Sequence, residues 1–365
     1  MSDRIVVDYL IYGNDVREIA EAISVEQSIE FPADLAEEWI QREVVGRIDS
    51  IGEQAEGATR VTISYDHRNA GGELPQLLNV LWGNVSMLRG VRLIDVSIPD
   101  AFTERFAGPR FGIAGLRELF DVPQRALVGT ALKPMGSSSA DFARMASILA
   151  TAGFDTIKDD HSLANQPWSL WRERVEVVAA AVREANEKTG NRCVYAPSLN
   201  LPADQIHEAA HEAKRLGAGA LLVLPGISGF DIMRVIAEDD SIALPIMGHP
   251  SMLGSLVVSP NEGLAHSVVY GTLMRLAGAD ITIFPNFSGR FAFTKDECRS
   301  IAEAAHRPLG GLAPIWISPA GGMTIERLPE MLDFYGRDTA ALVGGALHRG
   351  DLATNARQMV EVMRG

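Results

Sequence analysis

The sequence predicts an α/β protein in which a C-terminal (β/α)8 barrel, the TIM-barrel architecture, follows an N-terminal α+β domain. Eight short apolar runs lie between residues 123 and 365, and an amphipathic, helix-like stretch follows each of them. The chain has 365 residues, of which 47% are hydrophobic and 22% charged. This length and balance are typical of a globular protein with a full core and room for one domain beside a barrel.

Residues 1–122 are predicted to form the first domain, with a ferredoxin-like arrangement. Alternating apolar residues predict strands over 4–11 and 60–65, and helical periodicity predicts helices over 15–25, 33–46 and 74–81. The stretch 99–124 is rich in glycine and proline and is expected to connect the two domains.

Residues 123–365 are predicted to form the barrel. The expected strands are 126–133, 154–160, 192–199, 220–226, 244–250, 280–286, 313–320 and 340–346. Strands that are apolar throughout and alternate with helices indicate a parallel sheet covered by helices. A doubly wound open sheet is the main alternative, but no glycine-rich dinucleotide fingerprint follows the first strand.

Charge and composition exclude several classes of function. The net charge of −14 disfavours nucleic-acid binding, which needs a basic surface, but leaves an anionic small molecule open as substrate. Two cysteines are too few for a disulfide framework. No signal peptide or membrane span is expected, because no apolar run reaches about 18 residues. The expected location is the cytoplasm.

Polar residues at the ends of the predicted barrel strands are the candidate site, because barrel active sites lie at the carboxyl ends of the strands. These residues are Lys133, Lys158, Asp159, Asp160, His161, His249 and Asn286. The glycines Gly321, Gly322, Gly344 and Gly345 end the last two strands, where barrels commonly bind phosphate through bare backbone N–H groups.

The segment Lys158–His161 offers a cation and several metal ligands within four residues. Side chains alternate along a strand, so Lys158 and Asp160 are expected to point to the same side. Aspartate oxygens suit Mg²⁺. An internal ion pair between lysine and aspartate explains the same spacing, and both interpretations stay open on the residues alone.

A second motif, His207-Glu208-Ala209-Ala210-His211, matches the H-E-x-x-H pattern of zinc proteases. Its two histidines are expected to point to solvent on an outer barrel helix. No extended H-x-x-G-x-x-H pattern follows. A metalloprotease is therefore not predicted.

Several motifs resemble the large subunit of RuBisCO, in order along the chain. Gly153–Asp160, followed by Asn165-Gln166-Pro167 and Trp171–Arg174, resembles the segment around the activating lysine of that family. The stretch 129–134 (GTALKP) resembles its first-strand motif. The stretches 82–85 and 92–99 resemble the end of its N-terminal domain, and 25–28 resembles the segment that carries its N-domain glutamate.

The resemblance implies roles for these residues. Lys158 would react with CO2 to form a carbamate, and this group, Asp160 and His161 would be the Mg²⁺ ligands. Lys133 would be the base that removes a proton next to a carbonyl, giving an enolate that the metal stabilises. Gly321, Gly322, Gly344 and Gly345 would bind the substrate phosphate. Glu26 and Asn84 would reach the site of a partner chain, which makes a homodimer the smallest active unit.

The departures from a carboxylase are equally informative. Met135 replaces a second lysine, Arg290 stands where a mobile-loop lysine is expected, and His249 is followed by Pro250 instead of arginine. His161 replaces a glutamate ligand, and histidine favours transition metals over Mg²⁺. Ala320 replaces a serine.

The losses affect carboxylation and a second phosphate site. The pattern therefore implies a RuBisCO-like protein of the non-carboxylating type IV, with enolate chemistry on a phosphorylated keto sugar or oxo sugar acid. Enolisation or isomerisation, as in methionine salvage, and decarboxylation or C–C cleavage are both open outcomes. A non-catalytic protein that binds a phosphorylated metabolite is the alternative of a different class.

Overall fold

A computed structural model describes residues 3–291 and 293–364 and contains the two predicted parts in the predicted order. The strands are β1 Arg4–Tyr12, β2 Arg47–Ala55, β3 Ala58–Asp66, β4 Val91–Ser97, β5 Leu127–Leu132, β6 Thr156–Asp159, β7 Val194–Ala196, β8 Leu221–Val223, β9 Ile246–Gly248, β10 Gly263–Leu264, β11 Ile281–Pro285, β12 Trp316–Ala320 and β13 Ala340–Leu342. All eight predicted barrel strands are confirmed.

The helices follow the strands closely in the second part of the chain. They are α1 Val16–Glu26, α2 Glu38–Glu43, α3 Leu74–Trp82, α4 Asp100–Thr103, α5 Gly112–Phe120, α6 Ser139–Ala152, α7 Trp171–Thr189, α8 Ala203–Arg215, α9 Pro225–Ser228, α10 Phe230–Glu238, α11 Gly254–Val257, α12 Met274–Leu276, α13 Lys295–His306, α14 Leu328–Tyr335 and α15 Leu352–Arg364. A π-helical turn, Val268–Leu273, precedes α12.

The N-terminal part is a sheet in the order β10-β4-β1-β3-β2, in which β4, β1, β3 and β2 are antiparallel. With α1 and α3 this gives the β-α-β-β-α-β sequence of a ferredoxin-like domain. Every second residue of β1 is buried, as expected for a sheet with one covered face. The short β10 comes from the second part and pairs with β4, so the two parts share one sheet.

One helix prediction for this domain was wrong, and two strands, β2 and β4, were not predicted. The single helix over 33–46 is instead a 3₁₀ turn, Ala33–Leu35, and the short α2. Strand β2 was not predicted, because its side chains are mostly exposed and its register with β3 shifts twice. These shifts disrupt the alternation by which a half-buried strand is recognised.

The barrel consists of two four-stranded parallel arcs. One has the order β13-β5-β6-β7 and the other β12-β11-β9-β8. Single parallel bridges, Ser198 to Leu222 and Ile317 to Thr339, join the arcs at two seams. The barrel interior packs as one apolar cluster that includes Leu127, Ala196, Leu222, Met247, Ile281, Ile283, Trp316 and Ala340.

Helix α5 covers the amino-terminal end of the barrel, since its Leu116 and Phe120 belong to the same interior cluster. The buried carboxylate of Asp280 accepts the backbone N–H groups of Phe111 and Gly112 and ties this helix to β11. Gly112 has φ +56°, and a Cβ there would meet Ala313 at 2.7 Å, so only glycine fits. The division at residue 122 stays a prediction.

Within the described residues, no helix combines the length and the apolar character needed to cross a membrane.

Candidate active site

The carboxyl ends of the barrel strands surround a cavity of about 1470 Å³. Its lining includes ten of the predicted barrel site residues: Lys133, Lys158, Asp160, His161, His249, Arg290, Gly321, Gly322, Gly344 and Gly345. The predicted strand-end residues Asp159 and Asn286 are not part of this lining. The strands bring together residues that are more than 200 positions apart in the sequence. The cavity therefore joins the two lysines, the Asp160 carboxylate, the imidazoles of His161 and His249 and two glycine turns.

At the end of β6, successive side chains point alternately into the cavity and into the protein core. Lys158 and Asp160 line the cavity, as the alternation of side chains predicts. Asp159 points the other way, where its carboxylate accepts hydrogen bonds from Arg174 at 3.2 Å and from the Tyr195 hydroxyl at 2.7 Å. This buried network holds the strand end in place beneath the cavity.

Lys158 is the more deeply placed of the two lysines, with 3% of its surface exposed. Its ammonium donates to the backbone carbonyl of Asp159 at 3.1 Å. Burial lowers the pKa of Lys158 to about 8, and the positive charge of Lys133 acts in the same direction. A fraction of this amine is therefore neutral, and so nucleophilic, near neutral pH.

Asp160 stands between Lys133 and His161. Its Oδ1 lies 2.5 Å from Lys133 Nζ and 3.3 Å from His161 Nδ1. Burial favours the neutral acid, but the contacts with His161 and Lys133 and the charge of Lys158 outweigh it, so the pKa of Asp160 falls below its ordinary value. The ion pair therefore joins Asp160 to Lys133 at the neighbouring strand end and not to Lys158, which faces the same cavity. The magnesium interpretation stays a prediction.

His249 and His161 form a stacked pair in the cavity wall, with ring centroids 4.7 Å apart and planes 16° from parallel. The Ser251 backbone N–H donates to His249 Nδ1 at 3.2 Å, which places the proton of the neutral ring on Nε2. Burial also lowers the pKa of His249 well below its ordinary value. His249 is therefore a neutral imidazole at physiological pH.

The strand end offers a limited donor set for Mg²⁺. This ion takes oxygen ligands and is commonly held by one or two carboxylates with water and substrate oxygens. Asp160 provides one carboxylate, and a carbamate on Lys158 would provide the second oxygen group. His161 would add a nitrogen, which Mg²⁺ does not prefer. The residues fit Mg²⁺ through Lys158 and Asp160, provided that the Lys133 ammonium gives up its contact with Asp160.

Two glycine turns form a further part of the cavity wall. Gly321 and Gly322 have φ of +85° and +94°, a backbone conformation that favours glycine. The loop that carries Arg290 packs on this turn, because the Arg290 backbone N–H donates to the Gly321 carbonyl at 3.0 Å. A Cβ at Gly344 would lie 3.4 Å from Lys133 Cε, while one at Gly345 would project into open space. Both turns expose backbone to the cavity.

Several residues with predicted or discussed roles lie outside this cavity. Asn286 is buried, and its side-chain oxygen accepts a hydrogen bond from the Tyr335 hydroxyl at 2.6 Å. Glu26 and Asn84 contact each other on the N-terminal domain, where Asn84 Nδ2 donates to Glu26 Oε1 at 2.7 Å. Neither lines the cavity of its own chain. Met135 is 47% exposed and is also absent from the lining.

The motif at His207–His211 lies on α8, outside the barrel mouth. The buried face of α8 is the expected one: Ile206, Ala209, Ala210 and Ala213. Both histidine side chains reach solvent, with 49% of His207 and 23% of His211 exposed, and Asp239 lies within 3.2 Å of both rings, a contact that the sequence did not predict.

Sequence reasoning missed one wall of the cavity. His266, Tyr270 and Phe293 form an aromatic cluster there, with the His266 and Phe293 rings edge to face at 4.3 Å. Asn355 and Gln358 line the cavity from α15. Their i, i+3 spacing is a usable signal, since it puts two amides on one helical face after the last strand.

Comparisons with known proteins agree with this architecture. Residues 112–357 match the family model described as "Ribulose bisphosphate carboxylase large chain, catalytic domain". A ribulose bisphosphate carboxylase-like protein 1 of Rhodopseudomonas palustris is 40% identical over 350 residues, covering 95% of this chain and 93% of the relative. A 5-methylthioribulose-1-phosphate isomerase of Rhodospirillum rubrum is 36% identical and covers 95% and 92%.

A further relative, a 2,3-diketo-5-methylthiopentyl-1-phosphate enolase of Bacillus pumilus, is 32% identical and covers 91% of this chain and 82% of the relative. Among solved structures, a Rubisco-like protein from Rhodopseudomonas palustris superposes with a TM-score of 0.90 at 36% identity. That match covers 100% of this chain and 98% of the other.

Proposed function

We propose that this chain, which belongs to the RuBisCO large-chain family, is a RuBisCO-like enzyme that forms an enolate from a phosphorylated keto sugar or oxo sugar acid and does not fix CO2. The observation that carries the proposal is that the group Lys133–Asp160–Lys158 lines one cavity together with two glycine turns. Proton-transfer groups and an anion-binding surface are the two parts that such a reaction needs.

Lys133 is the proposed proton-transfer group. Its side chain is 30% exposed and its ammonium is paired with Asp160, so it lies at the boundary between the cavity floor and the substrate space. As a neutral amine it would take a proton from the carbon next to a carbonyl. In a decarboxylation, the ammonium form would instead give its proton to the carbon from which CO2 has left. Neutral His249 is suited to donate a hydrogen bond from Nε2 to a substrate oxygen.

A carbamate on Lys158 and a bound Mg²⁺ are part of the proposal. The lowered pKa of Lys158 supports carbamate formation, since the reaction with CO2 requires the neutral amine. Lys158 and Asp160 would hold the ion, with His161 as a neighbouring nitrogen. When bound, the ion would supply positive charge beside the substrate carbonyl, where negative charge develops.

The glycine turns and Arg290 would bind the anionic groups of the substrate. Gly321, Gly322, Gly344 and Gly345 would offer backbone N–H groups to one phosphate. The Arg290 guanidinium is suited to bidentate binding of a carboxylate, which favours an oxo sugar acid. The relatives named isomerase and enolase act on phosphorylated compounds with a methylthio group by name, so this substrate class is the alternative within the family.

A homodimer is the proposed active unit, with Glu26 and Asn84 completing the site of the partner chain. Their mutual hydrogen bond and their position outside the cavity of their own chain support this role. Size-exclusion chromatography with light scattering tests the dimer. Mixing inactive Lys133→Met chains with inactive Asn84→Ala chains tests the shared site, because mixed dimers would regain part of the activity.

The decisive experiment incubates the protein with Mg²⁺ and bicarbonate in D2O and follows a panel of phosphates by NMR. The panel contains 5-methylthioribulose 1-phosphate, other phosphorylated keto sugars and phosphorylated oxo sugar acids. We expect C–H exchange or CO2 release with at least one member, and a loss of about 100- to 10,000-fold in Lys133→Met. Absence of exchange and release across the panel, with metal bound, contradicts the proposal.

A non-catalytic binder of phosphorylated metabolites is the second candidate. The observation in its favour is that Asp160 is already neutralised by Lys133 and approached by His161, which replaces a carboxylate. Mass spectrometry of the intact protein in bicarbonate, together with metal analysis, separates the two. A gain of one CO2 on Lys158 with bound Mg²⁺ supports the enzyme, and an unmodified lysine with tight phosphate binding supports the binder.

A further inference from the structure

A cluster of two histidines and one aspartate lies on the outside of the barrel, away from the cavity. His207 and His211 are one turn apart on α8, and Asp239 directly follows the last residue of α10. One ligand atom from each residue lies within 4.8 Å of the others. None of the three residues lines the described cavity.

We propose that His207, His211 and Asp239 bind a transition-metal ion of the Zn²⁺ type and thereby tie α8 to the end of α10. Two imidazoles and a carboxylate are a frequent three-ligand set for zinc, with water as the fourth ligand. The site is independent of the proposed enolate chemistry.

The distances between the ligand atoms fit this assignment. Asp239 Oδ2 lies 3.0 Å from His207 Nε2 and 3.2 Å from His211 Nε2. Ligands at about 2.0–2.1 Å from a tetrahedral zinc ion lie roughly 3.3 Å from each other. The two spacings to Asp239 are within a few tenths of an ångström of that value, and the ligand nitrogens of the two histidines lie within 4.8 Å of each other. Rotations of the side chains would therefore admit the ion.

The carboxylate is already oriented for this role. Asp239 Oδ1 accepts hydrogen bonds from the backbone N–H of Ser241 at 2.8 Å and from its hydroxyl at 2.6 Å. This leaves Oδ2 directed at the two histidines. Such hydrogen bonds to a ligating group fix its orientation and contribute to metal affinity.

The surroundings allow access and set the type of ion. The side chain of His207 is 49% exposed and that of Asp239 22%, so an ion and its water can enter from solvent. Two positive charges contact this loop, and both oppose a cation. Lys214 donates to the Ser241 carbonyl at 2.9 Å, and Arg110 pairs with Asp240 at 2.8 Å. Two nitrogen ligands favour Zn²⁺ over Mg²⁺.

The arrangement does not resemble that of a zinc protease. In H-E-x-x-H proteases the glutamate is the general base beside the metal. Here Glu208 is 73% exposed and its carboxylate pairs with Arg215 at 2.7 Å. The inference is therefore a binding site, with no hydrolytic activity.

The test is calorimetric titration of the full chain with ZnSO4 in millimolar Mg²⁺, which occupies oxygen-rich sites first. The background is His161→Ala, because this change removes the imidazole beside Asp160 in the cavity. We expect one zinc ion per chain, at least tenfold weaker binding after adding His211→Gln, and unchanged binding after adding Glu208→Gln. Because both histidines are partly exposed, the variants are expected to fold, and circular dichroism verifies this for each of them.

Three results would overturn the proposal. They are the absence of zinc binding in the His161→Ala background, binding that His211→Gln leaves unchanged, and binding that depends on Glu208. A Co²⁺ titration gives a separate readout, since a tetrahedral site with two histidines produces visible absorption that an octahedral oxygen site lacks. Loss of this absorption in Asp239→Asn is the expected result, and its persistence would contradict the assignment.

Discussion

The buried ion pair between Arg174 and Asp159 is expected to be a large contributor to barrel stability, and Arg174→Met tests it. Both side chains are fully buried, with Arg174 Nε 3.2 Å from Asp159 Oδ2. The guanidinium also donates to the backbone carbonyls of Ser169 and Ala164, each at 2.9 Å. Methionine preserves much of the apolar stem but removes all three contacts.

The expected change in the free energy of unfolding depends on the polar groups that lose Arg174 as a partner. Breaking a buried ion pair by removing one partner costs about 3–5 kcal/mol, because the other charge is left uncompensated. Asp159 keeps the Tyr195 hydroxyl and the Ser198 N–H, which limits this cost. The two carbonyls add about 1–2 kcal/mol if they gain no other donor. We expect Arg174→Met to lower the free energy of unfolding by about 4–6 kcal/mol.

Arg172→Met is the matched control, two residues away on the same helix. Arg172 pairs with Glu212 at 2.8 Å, but its side chain is 67% exposed. An exposed pair of this kind contributes at most about 1 kcal/mol. The two variants thus remove the same side chain and differ in burial.

Urea unfolding followed by tryptophan fluorescence measures both variants, and thermal unfolding gives a second value. A loss of 4 kcal/mol corresponds to a decrease in Tm of roughly 8–16 °C for a domain of this size. A difference below about 1 kcal/mol between the two variants would refute the reasoning. Replacing Asp159 by Asn in the Arg174→Met background removes the uncompensated negative charge, so the double variant is expected to be more stable than Arg174→Met alone.

Three further predictions concern pH and the cavity. Burial lowers the pKa of His266 to about 4, so between pH 6.5 and 4 the unfolded chain binds more protons than the folded one. The free energy of unfolding therefore falls by up to about 3 kcal/mol as the pH drops through this window. His266→Gln is expected to flatten this pH dependence in urea titrations, and an unchanged slope would assign the dependence to other groups. Arg290→Ala is expected to raise KM at least tenfold with little change in kcat, measured on whichever substrate the NMR panel identifies, whereas an effect on kcat alone would argue against an anion-binding role. Gly345→Leu fills the open space beside that backbone and is expected to weaken phosphate binding in calorimetry without lowering Tm; retained affinity would place the phosphate elsewhere.

The barrel and most of its site were predictable because its signals are local. Each buried strand is a short apolar run, and Lys133, Lys158 and His249 stand where such a run ends. Parallel strands then bring these ends to one edge, so the cavity lining follows from the fold class. The motifs around Lys158 were specific enough to indicate the family from the sequence alone.

The features that were missed depend on contacts between distant segments. Strand β2 is recognisable only through its bulged pairing with β3, and nothing within 47–55 shows that pairing. Asp239 lies 28 residues after His211, and only the packing of α10 against α8 brings the three ligand atoms together. The aromatic wall at His266 arises because the chain leaves the barrel to pair β10 with β4 before it returns.

The two seams of the barrel divide the site as well as the sheet. Lys133, Lys158 and Asp160 belong to the arc that contains β5 and β6, so relative motion of the arcs would leave their mutual spacing intact. The glycine turns lie on opposite sides of the seam between β12 and β13, which a single backbone bridge and the hydrogen bond from Ser318 to Ala340 hold together. A phosphate bound to both turns would connect the two sides of this seam. Substrate binding would then stiffen the barrel, while the distances between the proton-transfer residues stay the same.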